Sequence, residues 1–164
     1  MAEKSYNQSF DGYWRYPNRG SMPEKSGIYC VYAGKHNTED KTVTLNRLLY
    51  IGQAENIRER LQNHECYNDW VAELKSGEII IFSCTLLGNS ELDRFEAAMI
   101  YKHKPPVNDL CVNHFNYDKT NVSLTGKTAC LYTFLSCLPK GSLSLHHRKK
   151  VSLSHAEEHW APER

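Results

Sequence analysis

Apolar and polar positions alternate at two different periods along this chain, and the changes of period mark its expected elements. Gly27-Ile28-Tyr29-Cys30-Val31-Tyr32 is rich in strand-forming residues at period two. Residues 34–41 form a polar turn, and Thr42-Val43-Thr44-Leu45 extends a second arm towards Leu48-Leu49-Tyr50-Ile51, so the pair reads as an antiparallel hairpin with a long tip. At Gly52 the period changes. Asn56 is placed to cap a helix in which Ile57 and Leu61, four apart, form an apolar ridge. Residues 67–75, with Trp70, Val71 and Leu74 at helical spacing, predict a second helix ending at Gly77, and Ile79-Ile80-Ile81-Phe82 a third strand. Asn89 or Ser90 then opens a helix through Leu92, Phe95, Glu96, Met99, Ile100 and His103, which Pro105-Pro106 stops.

The flanks are less patterned. Before the hairpin, Phe10, Tyr13, Trp14 and Tyr16 interleave with Arg15 and Arg19; such an arm either wraps the core and buries its rings or stacks on nucleic-acid bases. Residues 109–125 read as polar turns, and residues 128–138 as one apolar helix or strand against the domain. From Pro139 onward a Ser-rich tail carries the basic cluster His146-His147-Arg148-Lys149-Lys150, suited to phosphate contacts or to disorder.

Composition changes this picture little. A chain of 164 residues accommodates one compact domain and some extra, and a formal net charge of +1 means that a polyanion has to be met by a local basic surface. No apolar run approaches a membrane span and residues 1–10 show no secretory segment, so a cytoplasmic protein is expected. The six cysteines form no CxxC and sit mostly in apolar strings, as buried free thiols do; His64 with Cys66 and Cys111 with His114 are the nearest approaches to zinc half-sites.

Three side chains stand out. On a helical wheel Arg60 and His64 lie beside the Ile57/Leu61 ridge, a position that suits boundary residues in salt bridges as well as a site. Glu96 falls within the apolar arc of Leu92, Phe95, Met99 and Ile100. A carboxylate there needs a metal ion or a cation such as Arg60 or Lys102.

Taken in order, Gly27-Ile28-Tyr29, Tyr50-Ile51-Gly52, Arg60-Leu61 with His64, Glu96 and Asn108 resemble the landmarks of the GIY-YIG nuclease family, and the stretch from Glu96 to Asn108 is similar to the excision-repair nuclease module and its single-domain relatives. The resemblance covers residues 23–108. It implies an α+β fold, a small three-stranded antiparallel sheet flanked by helices, with an arm at 1–22, an extension packed on the domain at 109–138 and a tail at 139–164. It further implies a metal-dependent endonuclease hydrolysing phosphodiester bonds in DNA, RNA or branched DNA being alternatives. By position, Glu96 would hold one Mg²⁺ or Mn²⁺, Arg60 would clamp the phosphate, and Tyr29 would orient or deprotonate the attacking water with Tyr50 and His64 assisting. Gly27, Gly52 and Asn108 would support the site, and Arg58, Lys102, Lys104, Arg148, Lys149 and Lys150 would contact nucleic acid. Residues 34–46 look like an insertion at the hairpin tip. A catalytically silent nucleic-acid- or partner-binding module is the competing reading.

Overall fold

Strand β2 (Gly27–Asn37) is buried on both faces along Gly27 to Gly34, and the molecule is layered around it. Ile28, Cys30 and Tyr32 point into one apolar cluster, Tyr29, Val31 and Ala33 into the other. The computed structural model describes residues 2–141. In chain order they form β1 (Lys4–Arg15), a 3₁₀ turn (Tyr16–Ser21), β2, β3 (Thr42–Ala54), α1 (Ile57–Gln62), α2 (Tyr67–Ala72), β4 (Ile79–Leu86), a second 3₁₀ turn (Asn89–Glu91), α3 (Leu92–His103), β5 (Thr120–Gly126) and β6 (Phe134–Cys137).

The six strands make one sheet in the order β3-β2-β4-β1-β5-β6. All neighbours are antiparallel except β1 and β5, which pair in parallel from Lys4↔Thr120 to Phe10↔Gly126. This corrects the expected fold. In place of a small three-stranded antiparallel sheet flanked by helices there is a six-stranded mixed sheet with few helices. The antiparallel β2, β3 and β4 are its first half, and β1, β5 and β6 double its width. The arm does not wrap: residues 4–15 enter the sheet between β4 and β5, burying Tyr6 and Phe10. The supposed turn region contains β5, where Thr120, Val122 and Leu124 are buried in alternation with Asn121, Ser123 and Thr125. The polar turn expected at residues 34–41 is shorter, because β2 and β3 stay paired as far as Asn37↔Thr42, which leaves residues 38–41 as the loop. The expected tail at 139–164 is described only as far as Gly141, so Arg148, Lys149 and Lys150 lie outside the described residues.

Helix α3 covers one face with Leu92, Phe95, Met99 and Ile100, and the other face takes Ile57 and Leu61 of α1 and Trp70 of α2. Two polar knots tie the added strands to α3. Tyr6 Oη donates to Glu91 (2.6 Å), which also pairs with Lys4. Arg94 Nε donates to Thr120 Oγ1 (2.9 Å), and its Nη2 reaches the carbonyls of Ala2, Asp118 and Lys119. Asn56 caps α1 as expected, accepting from Glu59 N–H (3.1 Å).

Strand β3 is an outer strand, and Asn108 closes part of its open side. Its amide accepts from Ile51 N–H (2.9 Å) and donates to Ile51 C=O (2.9 Å), while Val107 N–H donates to Leu49 C=O (3.1 Å). Two residues thus imitate a neighbouring strand. Asn108→Ala is expected to cost about 1 to 3 kcal/mol, since it leaves both polar groups of a buried residue without their partner. A urea unfolding midpoint equal to the parent's would mean that the edge is held elsewhere.

Candidate functional site

Tyr29, Tyr50 and His64 meet on the face of the sheet that carries α1 and α2. Tyr29 stands opposite Gly52 on β3 and Tyr50 opposite Val31, so the two rings come from neighbouring strands and stack at 6.3 Å between centroids. Just beyond α1, His64 packs on Trp70 (4.4 Å) and Tyr50 (5.4 Å) and makes a 2.8 Å hydrogen bond with Tyr29 Oη. Gly52 makes this possible, because a Cβ at residue 52 would lie 2.3 Å from Tyr29 Oη. Gly27 is needed for packing instead: a Cβ there would lie 2.2 Å from the Thr85 carbonyl and 2.9 Å from Ile57 Cδ1.

The tautomer of His64 follows from its second bond. Nδ1 accepts from Cys66 N–H (3.0 Å), so a neutral ring carries its proton on Nε2 and donates it to Tyr29 Oη. Burial, reinforced by the Arg60 charge, lowers the His64 pKa from 6.5 to about 4, which keeps the ring neutral. Tyr29 is held well above the ordinary tyrosine range, chiefly by burial and then by Tyr50. Tyr50 rises to about 12, again mainly by burial. Tyr29 is therefore a neutral phenol that receives one hydrogen bond and keeps a proton and a lone pair for another partner.

Arg60 comes from the last turn of α1 and lines an open groove of about 590 Å³ with Ala54, Glu55, Asn56, Glu59 and Asn63. Its guanidinium is engaged: Nη1 and Nη2 donate to the two carboxylate oxygens of Glu65, each at 2.6 Å. Its positive charge favours the ionised forms of both tyrosines, though less than burial opposes them.

Glu96 approaches from the other face, on α3. It meets the site at β3, where Gln53 Nε2 donates to Glu96 Oε2 (2.6 Å) and to Asp93 Oδ1 (2.8 Å). Burial raises its pKa to about 7, with Asp93 adding to the rise and Gln53 opposing it. Its charge is felt by Tyr29 and Tyr50, yet the cleft it lines, about 380 Å³ with Asp93, Cys111, His114, Asn116 and Tyr117, is separate from the Arg60 groove. The cation expected beside it is absent: among the described residues Glu96 has no ion pair with Lys, Arg or His. Gln53, which sequence reasoning passed over, takes that place; its spacing one residue after Gly52 was the available signal.

Of the expected nucleic-acid contacts, Arg58 is committed to structure, donating to the Met22 carbonyl (2.7 Å) and pairing with Glu24 (3.3 Å). Lys104 donates to the Val112 carbonyl and lies over the Tyr101 ring. Lys102 is exposed and lines a cleft of about 400 Å³ with His114, Ser136 and Lys140.

Two donor sets bear on metal binding. His64, Glu65 and Cys66 place one ligand atom each within 4.8 Å of one another. Both oxygens of Glu65 are taken by Arg60, and both ring nitrogens of His64 are bonded, so an ion taking one atom from each would compete with a hydrogen bond at each residue. Glu96 suits a hard divalent ion better: it is a half-buried carboxylate with one amide donor and no cation, and an ion would relieve the cost of ionising it. All six cysteines are free thiols, and among the described residues no helix is long and apolar enough to cross a membrane.

No protein-family model matches the chain, and neither a curated protein nor a solved structure matches it.

The two displaced pKa values have opposite effects on stability. His64, lowered from 6.5 to about 4, makes the unfolded chain the better proton binder between those values, so its contribution is lost as pH falls from 6.5 to 4. Glu96, raised from 4.5 to about 7, makes the folded chain the better binder, so its contribution is lost as pH rises from 4.5 to 7. Between about pH 4.5 and 6.5 the two slopes oppose each other. In EDTA, relative to the parent, the unfolding free energy of Glu96→Gln is expected to rise more steeply with pH in that window and that of His64→Gln to fall. Parallel profiles for all three proteins would contradict the assignment.

Proposed function

We propose that this chain is a metal-dependent endonuclease that hydrolyses phosphodiester bonds in DNA, with Tyr29, Tyr50, Arg60, His64 and Glu96 as its site. The observation that carries the reading is the Tyr29–His64 hydrogen bond beside Tyr50, within electrostatic reach of both Arg60 and Glu96. These are the side chains through which the sequence resembles GIY-YIG nucleases. The proposal rests on the site alone and carries over none of the fold expected from that resemblance.

Each residue then has a task set by its surroundings. Arg60 offers a planar fork of donors to the non-bridging oxygens of a phosphodiester and stabilises the charge that grows on them during attack. Tyr29, neutral and fixed by His64 Nε2–H, orients the attacking water with its remaining proton and lone pair. Its raised pKa favours orienting over proton abstraction. Tyr50 walls the site and packs His64 in place. Glu96 would hold a divalent ion, Mg²⁺ or Mn²⁺, which when bound supplies Lewis-acid polarisation of a phosphate oxygen. Because Arg60 and Glu96 line separate clefts, the substrate backbone is proposed to cross β3 between them. Lys102 is a further backbone contact in this reading, and the cytoplasm, where free thiols persist, is its proposed place of action.

Glu96→Gln is expected to abolish Mg²⁺-dependent cutting of supercoiled plasmid and of single-stranded DNA while leaving unfolding cooperative, because the amide keeps the shape and loses the ionic ligand. Arg60→Ala is expected to slow the chemical step by about 10². Parent-like cutting by both variants refutes the assignment, and retained DNA binding without cutting by the parent points to the binding module.

A further inference from the structure

We propose that Glu65 occupies the phosphate's place on Arg60 in the unbound protein, and that a phosphodiester group entering the site displaces it. The inference rests on the endonuclease reading for the identity of the displacing group, but its geometry is independent of that reading. Arg60 and Glu65 meet fork to fork, Nη1 to Oε2 and Nη2 to Oε1, each at 2.6 Å. That is how a guanidinium also receives two oxygens of a phosphate, so carboxylate and phosphodiester compete for the same pair of donors.

The pair is built to open. Its side chains are 33% and 67% exposed, so water and a competing anion reach both groups, and opening the pair leaves neither charge buried. Beyond Arg60, the Glu65 carboxylate accepts from its own backbone N–H; its contact with His64 Nδ1, at 3.9 Å, involves a neutral ring already accepting from Cys66 N–H. His64 itself is pinned by Tyr29 and Trp70, so the backbone before Glu65 is fixed and release needs only rotation of the Glu65 side chain. The groove explains why a latch matters. Arg60 shares it with Glu55 and Glu59, so the groove lining is net negative even with Arg60 free, and Glu65 removes the one positive charge in it. A polyanion is then admitted only where its other contacts deliver a phosphate to Arg60. Glu65 thus acts on the unbound protein alone, as a competitor for the donors of Arg60.

The test is binding of a fluorescently labelled DNA duplex in EDTA to the parent, Glu65→Gln, Arg60→Ala and the double variant. Glu65→Gln is expected to bind about threefold tighter or more, the worth of an exposed ion pair, and the gain is expected to vanish in the Arg60→Ala background. With Mg²⁺ present, its KM should fall while kcat stays within about twofold of the parent's. Three results overturn the proposal: no gain in affinity, a gain that persists without Arg60, or a fall in kcat at unchanged KM, which would make Glu65 a support that aims Arg60. Tighter, Arg60-dependent binding with no cutting by any protein upholds the latch and defeats the nuclease reading; cutting by the parent with no gain for Glu65→Gln does the reverse.

Discussion

A strand buried on both faces has to be covered on both faces, and β2 imposes that requirement on everything around it. From Gly27 to Gly34 none of its residues reaches solvent, and its side chains alternate between two apolar clusters. One cluster is closed by α3 and enlarged by β1, β5 and β6. The other is closed by α1, α2 and the turn that follows β1. Extending the sheet past β4 lets the α3 cluster close as well, because Tyr6, Phe10, Val122, Leu124, Leu135 and Cys137 of the added strands join its lining. The width of the sheet thus follows from the double burial of its second strand.

The same requirement sets the character of the site. Tyr29 belongs to the buried strand and inherits its low dielectric surroundings, so its phenol stays neutral and His64 stays uncharged beside it. Formal charge is confined to the rim. Arg60 is balanced there by Glu65, and Glu96 shares an amide with Asp93. A site of this kind has its hydrogen bonds aimed before a ligand arrives, while its ionic contacts are at the boundary where a ligand can exchange with them.

Where partners are close in sequence, the chain was legible. The β2/β3 hairpin, the Asn56 cap, the strand at Ile79 and the helix stopped by Pro105 all follow from local periodicity and local hydrogen bonds. So did the closeness of Tyr29 and Tyr50, since one hairpin register places them, whereas His64 lies beyond the end of α1, where helical spacing no longer applies. What failed was non-local. Strand β1 pairs with residues near 82 and 122, and in it only Tyr6 and Phe10 are fully buried, too sparse a signal to separate a strand from a wrapping arm. Strand β5 did carry alternation, but its buried Thr120 and exposed polar neighbours made it read as turns. Glu96 was rightly seen as awkward within an apolar arc. Its partner was missed because Gln53 carries no charge to suggest it.

The parallel pairing of β1 with β5 also bears on how the chain is made. Residues 4–10 leave the ribosome more than a hundred residues before their partners 120–126, so one side of β1 stays open while the segment between them is made. Until β4 and then β5 appear, that strand lacks both of its neighbours in the folded sheet. Its polar residues, Asn7, Gln8, Ser9 and Asp11, make it a poor adhesive in the interval.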